Sequence, residues 1–215
     1  MSSQDERSGI DTRSKKEVFY SLENKFNVFW EKESPLLTEW QKKLNNELNN
    51  PSSADRVLEI LKVLFNTSPT ESGIAILLLP SSPKHTGGGA NIGNKNITLE
   101  ISRYPLEEAG HAICLIWHEV IHLCFQKPYF SSLVSSEFQN DRNRAEKISE
   151  AAVRSLFPRG ILSIRMFKNK PANKLIPEAS VEQSIAILNL TKEYVDRKRT
   201  FDKEYVHRLD DILET

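Results

Sequence analysis

The sequence predicts a mainly helical α+β fold, in which a small antiparallel or mixed sheet lies beside two motif-bearing helices and further helices precede them. Three observations carry this expectation. Apolar residues recur at three- and four-residue spacing over most of the 215 positions, which is the period of an amphipathic helix. Two short runs, Gly73–Leu79 and Ile97–Ile101, read as strands instead. One strongly apolar helical segment carries His118-Glu119-Val120-Ile121-His122 in its middle.

Taken in order, residues 1–13 are polar and predict a disordered tail. Residues 14–70 predict an N-terminal helical layer of three helices. The first runs to about Lys32, with Val18, Phe19, Leu22, Phe26, Val28, Phe29 and Trp30 near helical spacing. The second opens at Ser34-Pro35, passes through Leu36, Leu37, Trp40, Leu44 and Leu48, and closes at Asn49-Asn50-Pro51. Ser53 suits the N-cap of the third, which turns Val57, Ile60, Leu61, Val63 and Leu64 inward. Residues 71–215 form the remaining unit. Its first strand, Gly73–Leu79, is continuously apolar. The stretch from Pro80 to Asn96 is rich in Ser, Gly, Pro and Asn, and predicts a flexible loop at a cleft rim. Gly87-Gly88-Gly89 within it leads to no Gly-Lys-Ser/Thr and no helix, so it is not a phosphate loop. Ile97–Ile101 alternates as a half-buried strand does. Pro105 suits the first turn of the next helix, Glu107 and Glu108 suit its positive end, and Gln126-Lys127-Pro128 stops it. A helix over Asp141–Phe157 ends at Pro158-Arg159-Gly160. Residues 161–167 fit a short strand or a short helix equally. From Pro177 or Ser180 to Leu213 the apolar stripe predicts one long helix or a helix pair.

Two histidines four apart on a helix project from one side, one turn apart. That spacing lets His118 and His122 reach a single Zn²⁺ at about 2.0–2.1 Å. Glu119, offset around the helix, is placed to accept a proton from a zinc-bound water. Three polar groups in an otherwise apolar helix need such a reason to be there. A catalytic zinc site needs a third protein ligand. Position 128, where a longer histidine pattern would place one, is Pro128. A carboxylate from the following helix is the remaining solution. Glu146 and Glu150 lie one turn apart on it. The functional reading makes Glu146 the third ligand and Glu150 an outer acceptor for a ligating imidazole.

His-Glu-x-x-His followed, 24 positions after His122, by Glu146-Lys147-Ile148-Ser149-Glu150 resembles the gluzincin metallopeptidases. Thermolysin-like members carry Glu-x-x-Ser-Asp at that place, so Glu150 departs from the pattern by one methylene. The resemblance covers roughly residues 96–158. It implies a zincin-like core over 71–215 with C-terminal helices, a zinc ion held by His118, His122 and Glu146, Glu119 as general base, and Glu150 in the acidic outer position. An exchange of roles between Glu146 and Glu150 stays geometrically open, and Glu137 is a further carboxylate. It also implies that a strand before the zinc helix lines the cleft and pairs with an extended peptide through its free edge. A second donor for the oxyanion is expected on the C-terminal part. Tyr129, Tyr194, Tyr205 and His207 are candidates, of which Tyr205 and His207 are kept. His111 shares a face with His118 but lies two turns away, about 10.5 Å along the axis, too far to bind the same ion.

Lysine plus arginine and aspartate plus glutamate balance at 29 each, so no global basic field exists to recruit nucleic acid or an anionic membrane. The N-terminus is charged rather than signal-like, and no apolar run reaches a membrane span. Cys114 and Cys124 lie about 15 Å apart along one predicted helix, so they cannot bridge each other and read as thiols of a reducing compartment. The sequons at Asn66, Asn96 and Asn189 are then chance matches, and the expected location is cytoplasmic. The expected activity is zinc-dependent hydrolysis of peptide bonds in a protein or peptide substrate. Two alternatives are a catalytically weak zincin-fold interaction module and a zinc amidohydrolase on a small substrate.

Overall fold

A computed structural model of the chain describes residues 12–49, 51–69, 73–80, 87–91, 95–103, 105–168 and 174–215. The expected tail lies outside the described residues except at its last two positions. These already belong to α1 (Thr12–Leu48), a single helix where the sequence suggested two. Ser34-Pro35 does not end it, because the Pro35 ring stands on the exposed side. Helix α2 (Pro51–Phe65) follows, but it starts two residues before Ser53, the expected N-cap, and it leaves Val63, expected inward, exposed.

Three strands form one mixed sheet: β1 (Ala75–Pro80), β2 (Gly87–Asn91) and β3 (Asn96–Ile101), in the order β1-β3-β2. β1 runs parallel to β3, with Leu78 opposite Leu99, and β2 runs antiparallel to it, with Gly88 opposite Leu99. Two expectations change here. The glycine run is a strand rather than loop, since the open edge of β3 supplies backbone partners that compensate for glycine's poor strand preference. And β3, expected to offer a free edge, is central. The edge on the functional side belongs to β2.

α3 (Pro105–Val120) packs on β2 and β3. The expected continuation to Phe125 is present as a single π-turn, Ile121–Phe125, closed by the Gln126 amide donating to the Ile121 carbonyl at 3.1 Å. Such widened turns occur often at functional sites. A short α4 (Tyr129–Glu137), unforeseen in the sequence, precedes α5 (Arg142–Arg154). Asp141 caps α5 by accepting from the Arg144 amide at 2.9 Å. Residues 161–167 resolve as a helix, α6 (Ile161–Phe167). The C-terminal pair is α7 (Val181–Arg197), opened by a reciprocal Ser180–Gln183 capping box, and α8 (Lys203–Glu214), capped by Asp202. The result is a mainly helical α+β protein.

The core is continuous from Trp40 on α1 to Leu213 on α8. An aromatic cluster knits distant parts of the chain: Phe65 meets Phe130 and Phe201 edge-on at 5.5 and 5.3 Å, and Phe201 stacks on Tyr205 at 3.9 Å. Within it runs a relay of hydroxyls. Tyr205 and Thr191 share a bond of 2.9 Å, Thr191 donates to Ser155 at 2.8 Å, and Ser155 donates to the Ala152 carbonyl at 2.7 Å. The relay ties α8 and α7 to the end of α5. Among the described residues no helix is long and apolar enough to cross a membrane.

Candidate metal centre

His118 is buried on the last full turn of α3, and His122 sits half-buried in the π-turn. Their rings meet edge-on with centroids 4.7 Å apart, and the two Nε2 atoms are 3.2 Å apart. The opposite nitrogens are already committed. His118 Nδ1–H donates to the Phe157 carbonyl at 3.0 Å. His122 Nδ1–H donates to Gln126 Oε1 at 2.9 Å, while the Gln126 amide nitrogen donates to the Ser149 carbonyl at 3.4 Å. With Nδ1 protonated on both neutral rings, both Nε2 atoms carry lone pairs, and these face the same point.

Glu150 completes the group. From α5 its Oε2 lies 3.2 Å from His122 Nε2 and its Oε1 lies 3.7 Å from His118 Nε2. Two lone pairs and a carboxylate converging on one point need positive charge between them. Four ligands at zinc-like bond lengths stand about 3.3 Å apart at the corners of a tetrahedron. The observed separations of 3.2, 3.2 and 3.7 Å match those edges. His118, His122 and Glu150 could therefore hold a metal ion.

The electrostatics agree with a cation site. Burial and the adjacent His122 hold the His118 pKa down at about 4, so this ring is neutral at physiological pH. Burial also works to lower the His122 pKa, but hydrogen bonds to Glu150 and Gln126 outweigh it and the net shift is upward. Burial works to raise the Glu150 pKa, yet its bonds to His122 and Arg154 hold it at about 2.

Glu119 is buried beside this group. Burial raises its pKa against the opposing pull of His122 and a backbone hydrogen bond from Ala90. Through that bond the glycine-rich β2 holds the Glu119 carboxylate from the sheet side. His118 and Glu119 line a cleft of about 310 Å³ together with Gly88, His111, Arg154 and Lys174. His111, too distant to be a ligand, still faces the same space.

Several expected residues lie elsewhere. Glu146, expected as the third ligand, is an exposed residue whose carboxylate accepts from Arg142 at 2.8 Å. Glu150, expected in the outer position, is the carboxylate that stands with His118 and His122 in the group that could hold an ion. Glu137 pairs with Lys203 at 3.0 Å and His207 at 2.9 Å, away from the cluster. His207, proposed as an oxyanion donor, is engaged in that surface pair. Tyr205, the other proposed donor, is fully buried, its hydroxyl in the relay to Thr191. The sequence reading also missed Gln126 and the Phe157 carbonyl as the groups that orient the imidazoles. Gln126 had a visible signal, since it stands one turn past His122. The Phe157 carbonyl had none, because its approach depends on tertiary packing.

Comparison of the chain with protein-family models, with curated proteins and with solved structures returned no match.

Proposed function

We propose that the chain is a zinc-dependent metallopeptidase of zincin-like architecture, with His118, His122 and Glu150 as zinc ligands and Glu119 as general base. One observation carries the reading above the rest: a buried carboxylate, Glu119, lines a cleft together with His118, one member of a three-donor group that could hold a metal ion. A purely structural zinc site is closed by four protein ligands and has no use for an adjacent base.

When bound, zinc lowers the pKa of its water toward neutrality and polarises the scissile carbonyl. The remaining work belongs to the chain. Glu119, with its pKa raised, accepts the water proton and returns it to the leaving amine. The Phe157 carbonyl and Gln126 keep both imidazoles in the tautomer that presents Nε2. His111, Arg154, Arg159 and Lys174 are the cleft-lining donors from which this reading draws a partner for the developing oxyanion. The outer edge of β2 lies beside Glu119 and offers backbone groups to an extended peptide, a mode of binding that places little demand on side-chain identity.

The test is hydrolysis of an unfolded protein such as reduced casein by the zinc-loaded chain. Glu119→Gln is expected to retain the metal and to lose about 10²–10⁴-fold in rate. Activity unchanged in Glu119→Gln would remove it from the base role. Cleavage absent from both proteins while zinc is bound would leave a metal-holding interaction module as the better description.

A further inference from the structure

The apolar stripe of α1 does not stop where the body of the protein stops. In the C-terminal half of the helix the inward positions are Glu33, Leu36, Leu37, Trp40 and Leu44, spaced by three and four. Followed backward at the same spacing, the stripe continues through Phe29, Phe26, Leu22 and Phe19, which share that face. Yet every position from 17 to 32 is exposed. Phe19 is 72% accessible, Leu22 55%, Phe26 57% and Phe29 45%, with Val18 and Trp30 beside them at 57% and 49%. An isolated helical stretch of this length is marginal in water, and most helical stability comes from covering an amphipathic face.

We propose that this face is covered by the same face of a second copy of the chain, so that two α1 arms pair about a twofold axis. Three observations favour that occupant. The first is spacing: the alternation of three and four is the seam of a two-helix coiled coil. The second is area. At their observed exposures these six side chains offer on the order of 600 Å² per chain. Two copies together reach about 1,200 Å², the size at which specific interfaces begin. The third is charge. Between 17 and 32 the helix carries Glu17, Glu23 and Glu31 interspersed with Lys25 and Lys32. Arg13, Lys15 and Lys16 stand together at the start of α1, but along the apolar stripe itself the charges are mixed, unlike the Lys/Arg-rich polar face with which an amphipathic helix settles on an anionic membrane. The seam also opens onto a groove between α1 and β1, walled by Trp30, Leu37, Ile76 and Leu78, which extends the apolar surface toward the sheet.

Sedimentation velocity of the full chain over a wide concentration range tests this. The expected result is a concentration-dependent shift from one chain to two. Leu22→Lys with Phe26→Lys abolishes the shift while the thermal transition of the body is retained, and Asn24→Lys, on the opposite face, preserves it. A chain that remains single at every concentration overturns the proposal, as does a dimer indifferent to the Leu22 and Phe26 substitutions. A single chain that instead binds phosphatidylserine vesicles through those two residues overturns it in favour of a lipid surface.

Discussion

Glu150 rather than Glu146 faces the two histidines, although both stand on the same side of α5 one turn apart. Rotation of the helix does not separate them; position along its axis does. Two bonds set that stagger: Gln126 reaches the Ser149 carbonyl, and His118 reaches the Phe157 carbonyl just past the helix end. Together they place the C-terminal half of α5 opposite the imidazoles and leave Glu146 to Arg142 and solvent. The spacing of His118, Glu119 and His122 was legible in the sequence because all three lie on one stretch of helix. The third donor was not, because axial stagger between two helices leaves no mark in local spacing. Gln126 serves both the tautomer of His122 and the stagger of α5. Gln126→Ala is therefore expected to weaken zinc affinity by about 10–100-fold with little loss of helix content. Competition titration against a chromophoric chelator, paired with circular dichroism, measures both.

At the scale of elements, helix termini were read more securely than the sheet. Ser180, Pro105 and the stop at Pro158-Arg159-Gly160 announced their boundaries through local chemistry. The glycine run at 87–89 gave no strand signal, and its order comes from the β3 edge. The same limit applies to α1, where Pro35 suggested a break that the structure does not make. The turn after α5 is where an element governs the metal group most directly. A Cβ on Gly160 would lie 2.1 Å from the Ser155 carbonyl oxygen, a backbone atom that cannot rotate away. The Ile161 amide also donates to that carbonyl, at 2.8 Å. Gly160→Ala must therefore push apart the turn that carries the Phe157 carbonyl. The expected cost is about 1–3 kcal/mol in urea denaturation, together with weaker metal binding because His118 loses its acceptor. A fully stable Gly160→Ala protein with unchanged metal affinity would show that the turn does not position that ring.

For the whole molecule, the mainly helical α+β class was readable from period and strand runs. The way the chain closes on itself was not. Closure depends on the aromatic cluster around Phe65, Phe201 and Tyr205, whose members stand far apart in sequence. Tyr205 was expected at a catalytic cleft and lies instead in the core that anchors α8 to α5. Burial pushes its pKa from 10.0 up to about 12 against the pull of the neighbouring hydroxyls. The folded state therefore holds this proton more tightly than the unfolded chain does. Its contribution to stability is present below pH 10 and is lost as the pH rises through about 12. Tyr205→Phe is expected to be less stable at neutral pH, by about 1 kcal/mol for the lost hydrogen bond. Its stability is also expected to fall less steeply on the alkaline side. Urea midpoints measured across the alkaline range compare the two slopes, and equal slopes would place this titration outside the stability balance.

Every functional role proposed for these residues rests on a cation shared by two helical elements. The most direct measurement is metal content by plasma emission spectroscopy after dialysis against buffered zinc, for the parent chain and for Glu146→Ala, Glu150→Ala and His122→Ala. The expected result is about one zinc per chain in the parent, unchanged in Glu146→Ala and lost in Glu150→Ala and His122→Ala. A parent chain without zinc, or zinc retained in Glu150→Ala and lost in Glu146→Ala, would contradict a cation held by His118, His122 and Glu150.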